Sequence, residues 1–168
     1  PRHGGGIAGR TEATGRGIEE VIKEFFRNKE EVKKAKLNEN LKDNRIVIQG
    51  FGNVGRHLAY ELYNRDNAKI IAIGEYNGIL YNENGIDINK LIECVLFKKT
   101  IENNELGKFI RNPKEIVEVE CDILVPAALE GVINKDNVEK VKTKLIIEAA
   151  NGPIDPASDK ILFNKGVT

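Results

Sequence analysis

Residues 45–62 read RIVIQGFGNVGRHLAYEL, and the order of residue types in this stretch decides the fold. Arg45 to Gly50 is a short β-branched run of the kind buried within a sheet. Gly50, Gly52 and Gly55 follow in G-x-G-x-x-G spacing, and from Asn53 to Asn64 apolar residues recur at helical spacing through Val54, Leu58, Ala59 and Leu62. Strand, glycine turn and helix in that order form a cradle for a pyrophosphate. The first glycine permits a tight turn, the second lets the backbone approach the phosphates, and the third lets the helix pack closely on the sheet. The start of the helix then offers unpaired N–H groups and the positive end of its dipole to the anion.

Outward from the turn, AKIIAIG at 68–74 is a second buried strand and ends at Glu75. A carboxylate there hydrogen-bonds the adenosine ribose hydroxyls of a dinucleotide. It also repels a 2′-phosphate, and Tyr76 and Asn77 beside it supply no cation, so the charge pattern favours NAD over NADP. The turn signals Asn77-Gly78 and Asn84-Gly85 bracket a short run read as a hairpin or small excursion. A helix capped by Asp87 follows, then a polar loop over 100–112. EIVEV at 115–119 reads as a short strand, CDILVPAA at 121–128 as a buried one, and NKDNVEKV at 134–141 as a short helix. KLIIEAAN at 144–151 reads as a further buried strand, before a closing helix with Pro156 in its first turn. Upstream, Ile18, Val21, Ile22, Phe25 and Phe26 form the stripe of one long helix that runs into the lysines near residue 36, with Thr11 or Thr14 as its cap. Strands alternating with helices predict an α/β fold: an open, doubly wound, mainly parallel sheet with helices on both faces. One domain is expected over 1–168, with a leading loop and long helix in 1–40 and a Rossmann-type core in 45–168.

Composition bounds the remaining function classes. Hydrophobic residues make up 40% and charged residues 31%, which suits a globular domain with a full core, and the net charge of zero gives no basic field for nucleic acid. No apolar run approaches a bilayer span and no secretory leader is read at the start, so no membrane partner is expected. Cys94 and Cys121 lack metal-ligand spacing and are read as free thiols in a reducing compartment; no metal site is expected. His3 and His57 read as surface or helix residues and not as general bases.

Three further segments accompany the glycine turn: GGIAGRTEATGRG at 5–17, PAALEGVIN at 126–134 and IIEAANGPIDPASDKIL at 146–162. Together with GFGNVG at 50–55, this set resembles the cofactor-binding half of the glutamate dehydrogenases, in the family of glutamate, leucine, phenylalanine and valine dehydrogenases. The resemblance implies oxidative deamination of L-glutamate to 2-oxoglutarate and ammonia with NAD(P). It places Thr14 at the nicotinamide carboxamide, Phe51, Gly52, Asn53 and Val54 in the pyrophosphate turn, and Glu75 at the ribose. It also places Ala127 and Ala128 beneath the nicotinamide ribose, Asn151 at the nicotinamide side and Arg10 at the mouth of the cleft. A helix cap for Thr14 and a turn before Gly152-Pro153 for Asn151 remain open as plain structural readings. GEYNG at 74–78 resembles the branch with glutamate at this position, some of whose members accept both cofactors, so NADP stays open.

The family's catalytic lysine and proton-shuttling aspartate belong to an upstream segment with no counterpart in these residues. No catalytic residue is therefore expected in this chain: it should bind NAD(H) and meet glutamate only through a substrate domain that it lacks. The resemblance further implies a homohexamer for the full-length enzyme, a monomer or weak dimer for this piece, and a cytoplasmic location, or the mitochondrial matrix in a eukaryote. The alternatives are the cofactor domain of a leucine, phenylalanine or valine dehydrogenase, and a non-catalytic or split-enzyme NAD-binding module.

Overall fold

The computed structural model describes residues 10–168, with side chains from Ala13 onward. The GGIAG segment and His3 lie outside the described residues, as do the side chains of Arg10 and Thr11. Six strands form one sheet: β1 (Arg45–Gln49), β2 (Lys69–Glu75), β3 (Gly78–Tyr81), β4 (Lys108–Ile110), β5 (Ile123–Pro126) and β6 (Leu145–Ile146), in the spatial order β4-β3-β2-β1-β5-β6. β2, β1, β5 and β6 run parallel, while β3 and β4 are added antiparallel at one edge. The helices are α1 (Arg10–Arg27), α2 (Lys29–Lys34), α3 (Asn53–Asp66), α4 (Ile88–Lys98) and α5 (Pro156–Asn164).

Alternation along the strands divides their side chains between two cores, because successive residues point to opposite faces. Ile46 and Ile48 of β1, with Ile123 and Val125 of β5, pack against Ile22 of α1, Leu58 and Leu62 of α3 and Leu91 of α4. Val47 and Leu124 face the other way, onto Ile116, Val117, Val138 and Leu162. The mainly parallel α/β sheet is thus covered on both faces. The second face carries α5 and two 3₁₀ segments, Pro113–Glu118 and Val138–Lys140, in place of long helices. From β1 the chain crosses through α3 to β2 on one side, and β5 lies on the other side of β1. The strand order therefore reverses at the C-terminal end of β1, where open sheets of this class have their ligand crevice.

The opposite end of β1 is fixed by charge. The Asp122 carboxylate, 4% exposed, accepts the Arg45 N–H at 2.8 Å and the Arg45 Nε at 3.3 Å, and pairs with Lys144 Nζ at 2.8 Å. Burial pushes its pKa up, but the Arg45 N–H and the Lys144 ammonium outweigh that and hold it below the usual carboxylate range. Burial likewise pushes the Cys121 thiol up to about 11, so this cysteine is an inert core residue.

Several sequence expectations are corrected. The single helix over residues 11–36 is two helices, because the Asn28 side chain accepts the Glu31 N–H at 3.3 Å and so caps a separate α2. Thr11 and Thr14 both lie inside α1 and are not its N-cap. The expected polar loop over 100–112 contains β4, an edge strand whose register sets Phe109 opposite Leu80. EIVEV is part of a 3₁₀ turn rather than a strand: Asn112 accepts the Lys114 N–H at 3.2 Å and Pro113 fixes the first turn. That turn buries both Ile116 and Val117 in the same core. The helix read over 134–141 is the 3₁₀ turn Val138–Lys140, and the strand read over 144–151 is only the two-residue β6. The cap read at Asp87 is formed, its side chain accepting the Lys90 N–H at 3.0 Å, and Asp155, not read as a cap, accepts the Ser158 N–H at 2.8 Å ahead of Pro156.

Candidate functional site

The three glycines of the turn meet three different surroundings. Gly50 has φ of +101°, a left-handed conformation that favours glycine, and a Cβ there would lie 2.6 Å from the Ala128 Cβ. Its N–H donates to the Gly74 carbonyl at 2.7 Å, while the Gln49 carbonyl accepts the Ala127 N–H at 2.7 Å. The turn is thereby sewn to the ends of β2 and β5. A Cβ at Gly55 would lie 2.0 Å from the Gly50 carbonyl oxygen, so the first turn of α3 rests directly on the loop. Gly52 is the reverse case: among the described residues, a Cβ there would meet no atom within 4 Å. It is the N-cap residue of α3, so the cap position has no side chain to bond the helix, and the first turn holds no acid. The start of α3 thus keeps N–H groups that its own cap does not bond, with the dipole's positive end behind them.

The Glu75 carboxylate accepts a hydrogen bond from the Phe51 backbone N–H, tying the end of β2 to the glycine turn. Beyond Glu75 opens a cleft of about 440 Å³ with mostly apolar walls, lined by Gln49, Glu75, Tyr76, Lys114, Ile116 and Leu129 among others. Gln49 is 8% exposed, and its Oε1 is buried without a hydrogen-bond partner among the described residues. On the other side of the turn lies a second cleft of about 570 Å³, lined by Thr14, Ala127, Ala128, Glu130, Glu148 and Asn151 among others. Ala128 borders both clefts, so they meet where Gly50 packs on it.

Of the sequence-expected residues, Gly50 and Glu75 line one cleft, Thr14, Ala127 and Asn151 the other, and Ala128 both, while Phe51 to Gly55 lead from Gly50 into α3. Phe51 is buried, Asn53 exposed and Val54 half-buried at the head of α3. Arg10 begins α1, but its side chain lies outside the described residues. Sequence reading did not single out Gln49, Glu130 and Glu148, although each lies within a segment quoted above, nor Lys114, which lies in none of them. Lys114 reaches the crevice only because the 3₁₀ turn folds back beneath Gly74, where Ile116 Cγ1 would lie 2.8 Å from an added Cβ. Among the described residues, no group of three or more His, Cys, Asp or Glu is placed to hold a metal ion. Nor is any helix among them long and apolar enough to cross a membrane.

Comparison with known proteins finds similar sequences and the same fold elsewhere. The family model for glutamate/leucine/phenylalanine/valine dehydrogenases matches residues 5–168. The chain is 45% identical over 166 residues to the mitochondrial glutamate dehydrogenase of Dictyostelium discoideum, covering 99% of this chain and 33% of that protein. It is 39% identical over 167 residues to the NADP-specific glutamate dehydrogenase of Saccharolobus shibatae, covering 99% of this chain and 37% of that one. Among solved structures, the hetero-hexameric glutamate dehydrogenase of Thermus thermophilus superposes with a TM-score of 0.79 at 26% identity, over 97% of this chain and 36% of that one. The chain spans little more than a third of the length of these relatives.

Proposed function

Since this chain belongs to the glutamate/leucine/phenylalanine/valine dehydrogenase family, we propose that residues 1–168 are the single dinucleotide-binding domain of a glutamate dehydrogenase. The enzyme oxidises L-glutamate to 2-oxoglutarate and ammonia with NAD(P). The observation that carries this reading is the open space at Gly52 above an uncapped α3, with Glu75 fastened to the same turn. The donor set fits a dinucleotide: backbone N–H groups for the pyrophosphate, a carboxylate for ribose hydroxyls, and an apolar cleft with one orphaned amide oxygen for the adenine. The relatives' printed names support glutamate as the substrate.

In this reading Gly50, Phe51, Gly52, Asn53, Val54 and Gly55 hold the pyrophosphate, Gly52 by letting the backbone approach and Gly55 by keeping α3 seated on the turn. Glu75 orients the adenosine ribose through the carboxylate oxygen that Phe51 does not occupy. At the other end, Ala127 and Ala128 present a surface without long side chains to the nicotinamide ribose, while Thr14 and Asn151 supply polar groups at the edge of the ring. When bound, the nicotinamide accepts hydride from the α-carbon of the amino acid. The cleft at that end contains no lysine, histidine or aspartate among its described lining residues. Glu130 and Glu148 line it as carboxylates, while the lysine and aspartate of the reaction come, in this reading, from a substrate domain elsewhere in the enzyme. Arg10 belongs to the mouth of the interdomain cleft. The full-length enzyme is a homohexamer in the cytoplasm, or in the mitochondrial matrix of a eukaryote. Calorimetric titration of the chain with NAD+ and, separately, with L-glutamate tests the division of labour. Saturable heat with NAD+ and none with L-glutamate is expected; glutamate-dependent reduction of NAD+ by this chain alone would overturn it.

A further inference from the structure

Asn-Gly occurs three times in the sequence, at Asn77-Gly78, Asn84-Gly85 and Asn151-Gly152. Asparagine is among the thermally labile residues, and before glycine the cause is specific. The glycine amide nitrogen can attack the asparagine side-chain carbonyl carbon, with no Cβ on the glycine to hinder the approach. The reaction needs an asparagine side chain free to turn and a glycine N–H free of a hydrogen bond. The fold withholds these at two of the three sites. Asn77 Nδ2 donates to Thr100 Oγ1 at 3.0 Å, and Gly78 is buried at the start of β3, opposite Glu75. The Gly85 N–H donates to the Asn82 carbonyl at 2.9 Å and is held in its turn. Asn151 and Gly152 escape both restraints. Each is exposed, and among the described residues neither the Asn151 side chain nor the Gly152 N–H has a hydrogen-bond partner. The backbone is fixed from its other side: the Gly152 carbonyl accepts the Gly131 N–H and the Pro153 carbonyl the Ile133 N–H, each at 2.9 Å. Nor is Gly152 crowded, since even an added Cβ would come no nearer than 3.6 Å to Glu130.

We propose that Asn151-Gly152 is a site of self-modification: the Gly152 nitrogen closes on Asn151 Cγ, and the crevice ages by gaining a carboxylate. The N–Cγ bond forms as the Cγ–Nδ2 bond breaks, and the Gly152 amide proton leaves with the side-chain nitrogen as ammonia. Water then opens the succinimide ring at either carbonyl, giving aspartate or isoaspartate at position 151. Water is the only co-reactant, and nothing is oxidised or reduced. The product sets a third carboxylate beside Glu130 and Glu148, in a cleft with no cation among its described lining residues. Isoaspartate also lengthens the backbone of the turn that Gly131 and Ile133 hold in place. The consequence for the cofactor rests on the reading of this cleft as the nicotinamide end. A dinucleotide seated against Asn151 covers the side chain, so an idle domain ages faster than an occupied one.

The test is peptide mapping by mass spectrometry after incubation of the chain in mildly alkaline buffer, with and without NADH. Conversion at Asn151 should outpace that at Asn77 and at Asn84 at least about fivefold, the factor that one hydrogen bond is worth. The preference should vanish when the chain is unfolded in guanidinium chloride. NADH at about ten times its Kd should slow conversion at Asn151 about tenfold and leave Asn84 unchanged. Asn151→Asp, which carries one of the two products, should raise the Kd for NADH about tenfold. An Asn151 that stays intact, or conversion at Asn77 or Asn84 that keeps pace with it in the folded chain, would overturn the modification site. Conversion at an unchanged rate with NADH bound would overturn the shielding, and an unchanged Kd in Asn151→Asp the ageing of the cleft. Failure of NADH to bind the unaltered chain in a parallel calorimetric titration overturns the dinucleotide reading itself, whatever happens at Asn151.

Discussion

The Glu75 carboxylate and the Phe51 backbone N–H are hydrogen-bonded to each other across the ends of β2 and β1. One carboxylate oxygen is spent on shaping the glycine turn, and the other is left for a ligand. Glu75 thus has two separable duties, since an amide oxygen can accept from Phe51 but carries no charge. Glu75→Gln should keep the turn and its thermal stability while lowering NAD+ affinity about three- to tenfold. Removing the negative charge should also shift the NADP+ to NAD+ affinity ratio towards NADP+ by about tenfold. Calorimetric titration of both cofactors reads the ratio; an unchanged ratio would mean that Glu75 does not face the ribose 2′ position.

The glycines at 52 and 55 provide a matched pair. Gly55→Ala drives a Cβ to within 2.0 Å of the Gly50 carbonyl oxygen. It should cost about 3 kcal/mol of folding stability, as overpacking against backbone does. Gly52→Ala meets no atom of the described residues within 4 Å and has φ of −73°, so its cost should be about 1 kcal/mol or less. Its Cβ would nevertheless stand where a pyrophosphate approaches, and NAD+ affinity should drop at least about tenfold. Denaturant unfolding measures the first effect and calorimetry the second.

The two clefts can be addressed one at a time. Asn151 lines the cleft on the Thr14 side and does not line the Glu75 cleft. Asn151→Ala should weaken NAD+ binding about three- to tenfold, as loss of a single side-chain hydrogen bond does, and leave ADP binding unchanged. Equal weakening of both ligands in parallel titrations would return Asn151 to the role of a turn residue before Gly152.

Asp122 gives a pH-dependent stability with a definite sign. Its native pKa is lowered, so its contribution is complete above the unfolded value of about 3.9 and is lost as pH falls through the native value. Asp122→Asn removes the charge facing Arg45 and Lys144 and should cost about 2 kcal/mol at neutral pH. The stability difference between the two proteins should shrink steadily below about pH 4. Urea denaturation at a series of pH values measures it, and a difference that grows in acid would contradict the assignment.

What could be read from the sequence follows the length and regularity of each element. β1, the glycine turn, α3 and β2 carry strong periodic signals, and Asp87 and Asp155 cap where a carboxylate precedes a helical run. β4 was hidden because a three-residue edge strand has half its surroundings in solvent and needs no apolar alternation. EIVEV looked like a strand because β-branched residues suit strands, yet Pro113 and the Asn112 cap impose a tight turn that local composition does not reveal. The Glu75 end of the site was legible as a motif, whereas Lys114 and Gln49 were not. Lys114 comes to share a cleft with Glu75 by tertiary folding alone. Gln49 looks like the polar end of a strand until its amide oxygen is found buried without a partner among the described residues.

The most direct measurement is an amide NMR titration of the ¹⁵N-labelled chain with NAD+, which locates the ligand residue by residue. Binding in the crevice should give saturable shifts at Gly50 to Gly55, Glu75, Ala127, Ala128 and Asn151, with α5 and β4 unperturbed. Saturation without shifts in the Gly50–Gly55 turn, or no saturable shift at millimolar NAD+, would contradict the proposal that this chain is a dinucleotide-binding domain.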